Sequence, residues 1–219
     1  MNEYIKLENI TKTIKKRIVL DNINLSIIKG NVCGLIGRNG SGKTMLIRVI
    51  SGLITPDCGN VIVGGKIISR NHSFPDSMGL MIEKIDLWPD LSAMENLTMI
   101  AEIRNVIGSK EIRTALERVG LDPDDKRKTK AYSLGMKQKL VIAQAIMESP
   151  ELLLMDEPTN GLDDESVALF QKIIKEEKEK GTTVVIATHQ KEDIRDICDC
   201  YYRLFDGKCE ITEGGIHEN

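Results

Sequence analysis

Val32-Cys33-Gly34-Leu35-Ile36-Gly37-Arg38-Asn39-Gly40-Ser41-Gly42-Lys43-Thr44-Met45-Leu46-Ile47-Arg48-Val49-Ile50 holds an apolar run, a glycine-rich octet and a helix-like stretch, in that order. Val32 to Ile36 reads as a short strand, and Met45 to Ile50 as a helix that stops near Gly52. The octet between them, Gly37-Arg38-Asn39-Gly40-Ser41-Gly42-Lys43-Thr44, fits G-x-x-x-x-G-K-[ST]. Its glycines let backbone N–H groups approach phosphate oxygens with no Cβ in the way. A helix starting near Lys43 aims the positive end of its dipole at the same anion. Lys43 is placed to reach the β- and γ-phosphates, and the Thr44 hydroxyl suits Mg²⁺.

Outward from the octet, the first third reads as strands. Ile23, Leu25 and Ile27 alternate with Asn24, Ser26 and Ile28, Lys29-Gly30 turns, and Val61-Ile62-Val63 leads into a Gly64-Gly65 turn. The middle reads as helices. Ser92 is a candidate cap for a helix through Glu95, Leu97 and Ile100, and Ile112, Ala115, Leu116 and Val119 share one face before Gly120. After a polar loop from Asp122 to Lys130, a third helix starts near Gly135 and is expected to end at Pro150. The last third alternates. Leu152 to Met155 and Thr182 to Ala187 are continuous apolar runs, as in strands buried on both faces of a parallel sheet. A helix from about Asp164 to Lys180 lies between them, and Asp206-Gly207 marks a hairpin.

Two further groups fall at strand ends. Asp156 and Glu157 follow the first buried run; Asp156 is read as holding Mg²⁺ through water, and Glu157 as general base for an attacking water. His189 follows the second run, at the end where ligands bind in open α/β sheets, and is read as a γ-phosphate contact.

The bulk numbers narrow the class. The chain has 219 residues, 41% hydrophobic and 29% charged, with a formal net charge of −3. That balance supplies no basic field for nucleic acid, so no such partner is expected, and Lys126-Arg127-Lys128 reads as a solvated loop. Apolar stretches reach about six residues against the roughly 20 of a membrane span. No signal-peptide core follows Met1-Asn2-Glu3-Tyr4, so the expected place is the cytoplasm, with membrane contact through a partner. The five cysteines are irregularly spaced, and Cys198-x-Cys200 has the wrong gap for a zinc knuckle; reduced thiols and no metal besides Mg²⁺ are expected.

Taken together, the octet, Tyr132-Ser133-Leu134-Gly135-Met136-Lys137-Gln138, Leu152 to Glu157, Pro158-Thr159-Asn160-Gly161-Leu162-Asp163 and Thr188-His189 resemble the ABC ATPase family over nearly the whole chain. The resemblance implies an α/β fold: a P-loop NTPase core of mainly parallel sheet, an N-terminal antiparallel β part and an inserted α-helical subdomain. Residues 1–219 would form one domain, with 1–82 and 151–219 in the core and β part and about 83–150 helical. It also implies an ATPase using ATP and Mg²⁺, working as a homodimer or a heterodimer with a related ATPase on a separate membrane permease. In that pairing Ser133, Leu134, Gly135 and Met136 form the signature that meets the partner's ATP, and Asp163 crosses the interface.

Three residues depart from the family's common pattern. Ile14 takes the place of the aromatic that stacks on adenine, losing about 1 kcal/mol of stacking and leaving base selectivity between ATP and GTP open. Glu83 replaces the glutamine that bridges Mg²⁺ to the helical lobe, and Leu134 stands where glycine is common. Glu83, Leu87 to Leu97 with Trp88-Pro89, and the Tyr-Ser-Leu-Gly-Met signature are similar to bacterial exporters of the bacitracin-resistance and lantibiotic-immunity type. Trp88-Pro89 is open to two readings, a packing aromatic or a contact with the membrane partner. Alternative functions are a nucleotide-clamped regulatory subunit with little hydrolysis, or a soluble ABC protein of repair or translation.

Overall fold

The computed structural model describes residues 2–68, 73–82 and 87–212. Two sheets carry the fold. β1 (Glu3–Ile14) and β2 (Arg17–Ile28) form a long antiparallel hairpin, β4 (Cys58–Val63) pairs on the far side of β1, and β5 (Lys66–Ile67) completes the order β2-β1-β4-β5. Apolar side chains such as Ile5, Leu7, Ile23, Leu25 and Ile27 are buried on one face. The hairpin turns at Lys15 and Lys16, with φ of 47° and 67°, a primed turn without the usual Asn or Gly.

The second sheet contains β3 (Val32–Ile36), β6 (Met78–Met81), β7 (Leu152–Asp156), β8 (Thr183–Thr188), β9 (Cys200–Phe205) and β10 (Lys208–Thr212). Its order is β10-β9-β3-β8-β7-β6, parallel except for β10. The core of mainly parallel sheet and the antiparallel N-terminal part are thus both present. β7 and β8 are buried at every position. Residue alternation splits them between two cores: Leu152, Leu154, Val185 and Ala187 face α1 (Lys43–Ile50) and the first sheet, while Leu153, Met155, Val184 and Ile186 face the other way. There α5 (Asp164–Glu179) contributes Phe170, Ile173 and Ile174.

Between β6 and β7 the chain forms α2 (Ala93–Arg104), α3 (Ser109–Arg118) and α4 (Leu134–Ile146). Ser92 caps α2 with Glu95 in a reciprocal box. The Ser92 N–H and Lys128 hold the Glu95 carboxyl down at about 2. α4 rests on β6, where a Cβ at Gly79 would collide with the Ala145 carbonyl. Arg118 ties α3 to α5 through Glu176 and the wholly buried Glu177, at 2.8 and 2.7 Å.

The boundaries differ from the sequence reading in three places. α4 stops at Ile146, short of Pro150, because the chain turns through Ser149 at φ 49°. The expected loop from Asp122 to Lys130 ends in a 3₁₀ turn, Thr129–Ala131, docked by Thr129 N–H to Leu91 O and Lys130 N–H to Pro89 O. β6 was not legible as a strand. Trp88 is fastened by its backbone to Asn96, and the residue is 43% exposed. Among the described residues no helix is long and apolar enough to cross a membrane.

Candidate nucleotide site

The octet bridges β3 and α1 at the end of the parallel sheet. Gly40 and Gly42 have φ of 79° and 110°, the left-handed region that favours glycine. Gly42 is the residue before the first turn of α1, and no side chain caps that turn. At Gly37 any Cβ would meet the Leu204 carbonyl. The loop is braced by Gly207 N–H, which donates to Ser41 O at 3.2 Å, so the Asp206-Gly207 hairpin turn serves as its support. Arg38, Asn39 and Gly40 are exposed, and Thr44 is half-buried as the second residue of α1. The Ser41 hydroxyl is buried with no hydrogen-bond partner among the described residues.

Lys43 is 5% exposed. Its ammonium donates to Gly37 O at 2.8 Å and Arg38 O at 3.3 Å, and lies 3.4 Å from Glu157 Oε1. The other carboxylate oxygen, Oε2, accepts from Thr188 Oγ1 at 3.1 Å and His189 N–H at 3.3 Å, and pairs with His189 Nδ1 at 2.9 Å. The side chains of residues 43, 157 and 189 therefore meet at the end of the parallel sheet. Asp156 closes β7 at 1% exposure beside them in sequence, and α1 packs on β7 and β8.

Glu157 has φ 50°, uncommon for a residue with a side chain. Its N–H donates to Ala187 O at 2.7 Å, and its carbonyl accepts from Gln138 Nε2 at 3.0 Å. Gln138 and the Thr188 hydroxyl are site residues that sequence reasoning missed. Gln138 was visible within the signature stretch, but no spacing rule links it to residue 157.

Ser133 is the cap of α4, accepting from Met136 N–H at 3.2 Å. Leu134 is 61% exposed, and Gly135 lies so close to Gly161 that a Cβ would stand 3.1 Å from its carbonyl. Asp163 caps α5 by accepting from Ser166 N–H at 2.9 Å; hydrogen bonds from the Ser166 side chain and backbone hold its carboxyl below the usual range. Ile14 ends β1 at the hairpin tip, 36% exposed. Glu83 lies outside the described residues.

The donor set fits a magnesium nucleotide: an uncapped helix start, a buried ammonium, a buried hydroxyl with no partner among the described residues, and side-chain oxygens of the kind Mg²⁺ takes at Thr44 and Asp156. A family model described as "ABC transporter" matches residues 20–160. The chain is 44% identical over 214 residues to the uncharacterized ABC transporter ATP-binding protein YybJ of Bacillus subtilis (strain 168), covering 98% of each. It is 37% identical over 204 residues to the lantibiotic transport ATP-binding protein SrtF of Streptococcus pyogenes, covering 93% of this chain and 88% of that one. Among solved structures, the dimeric post-hydrolysis state of the ATP-binding cassette MJ0796 bound to ADP and Pi superposes with a TM-score of 0.86 at 27% identity, covering 97% and 99%.

Proposed function

The chain belongs to the ABC transporter ATP-binding family as an ATPase subunit, and we propose that it powers export of peptide antibiotics of the bacitracin or lantibiotic type. The observation that carries the catalytic part of this reading is the junction of Lys43, Glu157 and His189 beneath an uncapped helix start. The backbone donors from Gly37 to Thr44 take the nucleotide's phosphates, and the Lys43 ammonium moves from the Gly37 and Arg38 carbonyls onto them. That move releases Glu157 from its ion pair with Lys43. Glu157 then accepts a proton from water as the water oxygen bonds to the γ-phosphorus and the bond to the ADP oxygen breaks. For His189 to donate from Nε2 to the γ-phosphate while its Nδ1–H stays on Glu157, the ring must carry both protons. Thr44 and Asp156 would hold Mg²⁺, joined by Glu83; the ion supplies charge neutralisation at the phosphates.

Two copies, or this chain and a related ATPase, close head-to-tail. Ser133 to Met136 of one meets the nucleotide of the other, and Asp163 lies at the seam. Ile14 contacts the base. α2, α3 and α4 act as a helical subdomain that passes the motion to membrane permease subunits, with the chain at the inner face of the membrane. Similarity to a protein named for lantibiotic transport supports the cargo class.

Glu157→Gln keeps hydrogen-bond acceptance but removes the base. Turnover should fall about 10²-fold or more, with ATP binding retained and a stable dimer on size-exclusion chromatography. Unchanged turnover would refute the role given to Glu157. The cargo class is tested separately: cells lacking the protein should become more sensitive to such peptides.

A further inference from the structure

Left-handed backbone at a non-glycine residue persists only where its surroundings over-determine it. Glu157, at φ 50°, is such a residue. Its N–H is fixed on β8, and its carbonyl is fixed from α4, by Gln138. Gln138 is 5% exposed and uses both hydrogens of Nε2, one on Glu157 O at 3.0 Å and one on Pro158 O at 2.9 Å. Two acceptors on one planar NH₂ leave its orientation no choice. The same helix touches the loop again at its start. A Cβ on Gly161 would stand 2.7 Å from Leu134 Cδ2, and one on Gly135 would stand 3.1 Å from Gly161 O. The first two turns of α4 and residues 157–161 are therefore packed directly on each other.

We propose that Gln138 is a positioning residue for hydrolysis, clamping the backbone of Glu157 to the helix whose start serves the other nucleotide of the pair. The proposal rests on the reading of Glu157 as base and of head-to-tail closure. When the start of α4 is drawn onto the partner's phosphates, Gln138 carries that movement to the base of its own site. Closure at one site thus sets the geometry of the other.

The test is steady-state ATP hydrolysis by the full chain at pH 8 and pH 6, with Mg·ATP affinity measured alongside, for wild type, Gln138→Glu, Gln138→Leu and Glu157→Gln. Gln138→Glu keeps the volume but turns an oxygen toward the two carbonyls. Ionised, it repels them; protonated, it donates one hydrogen bond back. Expected is a kcat loss of about 10- to 100-fold at pH 8 with Kd nearly unchanged. About threefold or more of that loss, relative to wild type, should return at pH 6. Gln138→Leu should lose kcat at both pH values without recovery, and decides the matter on kcat against Kd should Gln138→Glu not fold. A purely structural role would lower affinity and thermal stability together with kcat, in both Gln138 variants. Wild-type kcat in both Gln138 variants, with Glu157→Gln inactive, overturns the Gln138 role alone. Wild-type kcat in Glu157→Gln overturns the reading of the base beneath it.

Discussion

The starts of α1 and α4 meet the same problem in opposite ways. Every helix leaves its first N–H groups without partners inside the helix. At α4, Ser133 supplies its own oxygen to Met136 N–H. The starts of α2 and α5 do likewise with Ser92 and Asp163. At α1 the capping position is Gly42, which has no side chain to offer. One start is finished by the protein itself, and the other is left for an anion to finish. The comparison also limits α4: a serine hydroxyl that accepts one hydrogen bond still has its proton to donate, so Ser133 can cap its helix and meet a phosphate together.

The largest effect should come from the side chain that fills the open start. In Lys43→Ala the cradle loses its only buried ammonium among the described residues, and Glu157 loses its counter-charge. ATP hydrolysis should drop about 10²- to 10³-fold, with nucleotide affinity weakened, as read by turnover and by titration calorimetry. Turnover within tenfold of wild type would mean that the backbone donors alone hold the nucleotide.

Next comes an attempt to make α1 resemble α4. Gly42→Ser offers a cap, but at φ 110° and with a Cβ 2.9 Å from Val19 O. Strain should win over capping, costing about 1–3 kcal/mol in a denaturant melt, and nucleotide affinity should fall with it. A more stable variant would show that the open start is not a conformational necessity of the loop.

Ser133→Asp separates the two duties of α4. Aspartate caps as well as serine, so the melt should be nearly unchanged. Its charge opposes a phosphate, so ATP-driven dimerisation should weaken about tenfold by analytical ultracentrifugation. Dimerisation at wild-type strength would leave Ser133 a cap and nothing more.

The same contrast explains what could be read from the chain alone. The open start is written in a local string, Gly37 to Thr44, because each residue acts on the same few ångströms of backbone. β7 and β8 were legible because burial on both faces demands unbroken apolar runs, and the Asp206-Gly207 turn because its φ values of 45° and 75° suit those residues. The Lys15-Lys16 turn was hidden, since two lysines adopt positive φ only under the pull of the long β1–β2 ladder. β6 was hidden because its four residues owe their strand form to β7 beside them. Gln138 was hidden because its meaning lies in carbonyls 19 and 20 residues away, which only the packing of α4 brings near.

The smallest expected effect sharpens the comparison by supplying a capped start with no ligand at all. Glu95 accepts from the Ser92 N–H at 2.6 Å and pairs with Lys128 at 3.1 Å. Its carboxyl is held at about 2, below the usual glutamate range of roughly 4.3. A carboxyl that ionises more readily in the folded state stabilises the fold above its unfolded pKa, and that contribution is lost as pH falls through about 2. Glu95→Gln can still accept from Ser92 but cannot ionise. Its Tm should therefore lie slightly below wild type at pH 7, and the gap should close between pH 4 and 2, while ATP turnover at pH 7 is unaffected. A gap that stays constant with pH would show that the charge adds nothing to this start. The contrast between finished and open helix starts would then rest on hydrogen bonds alone.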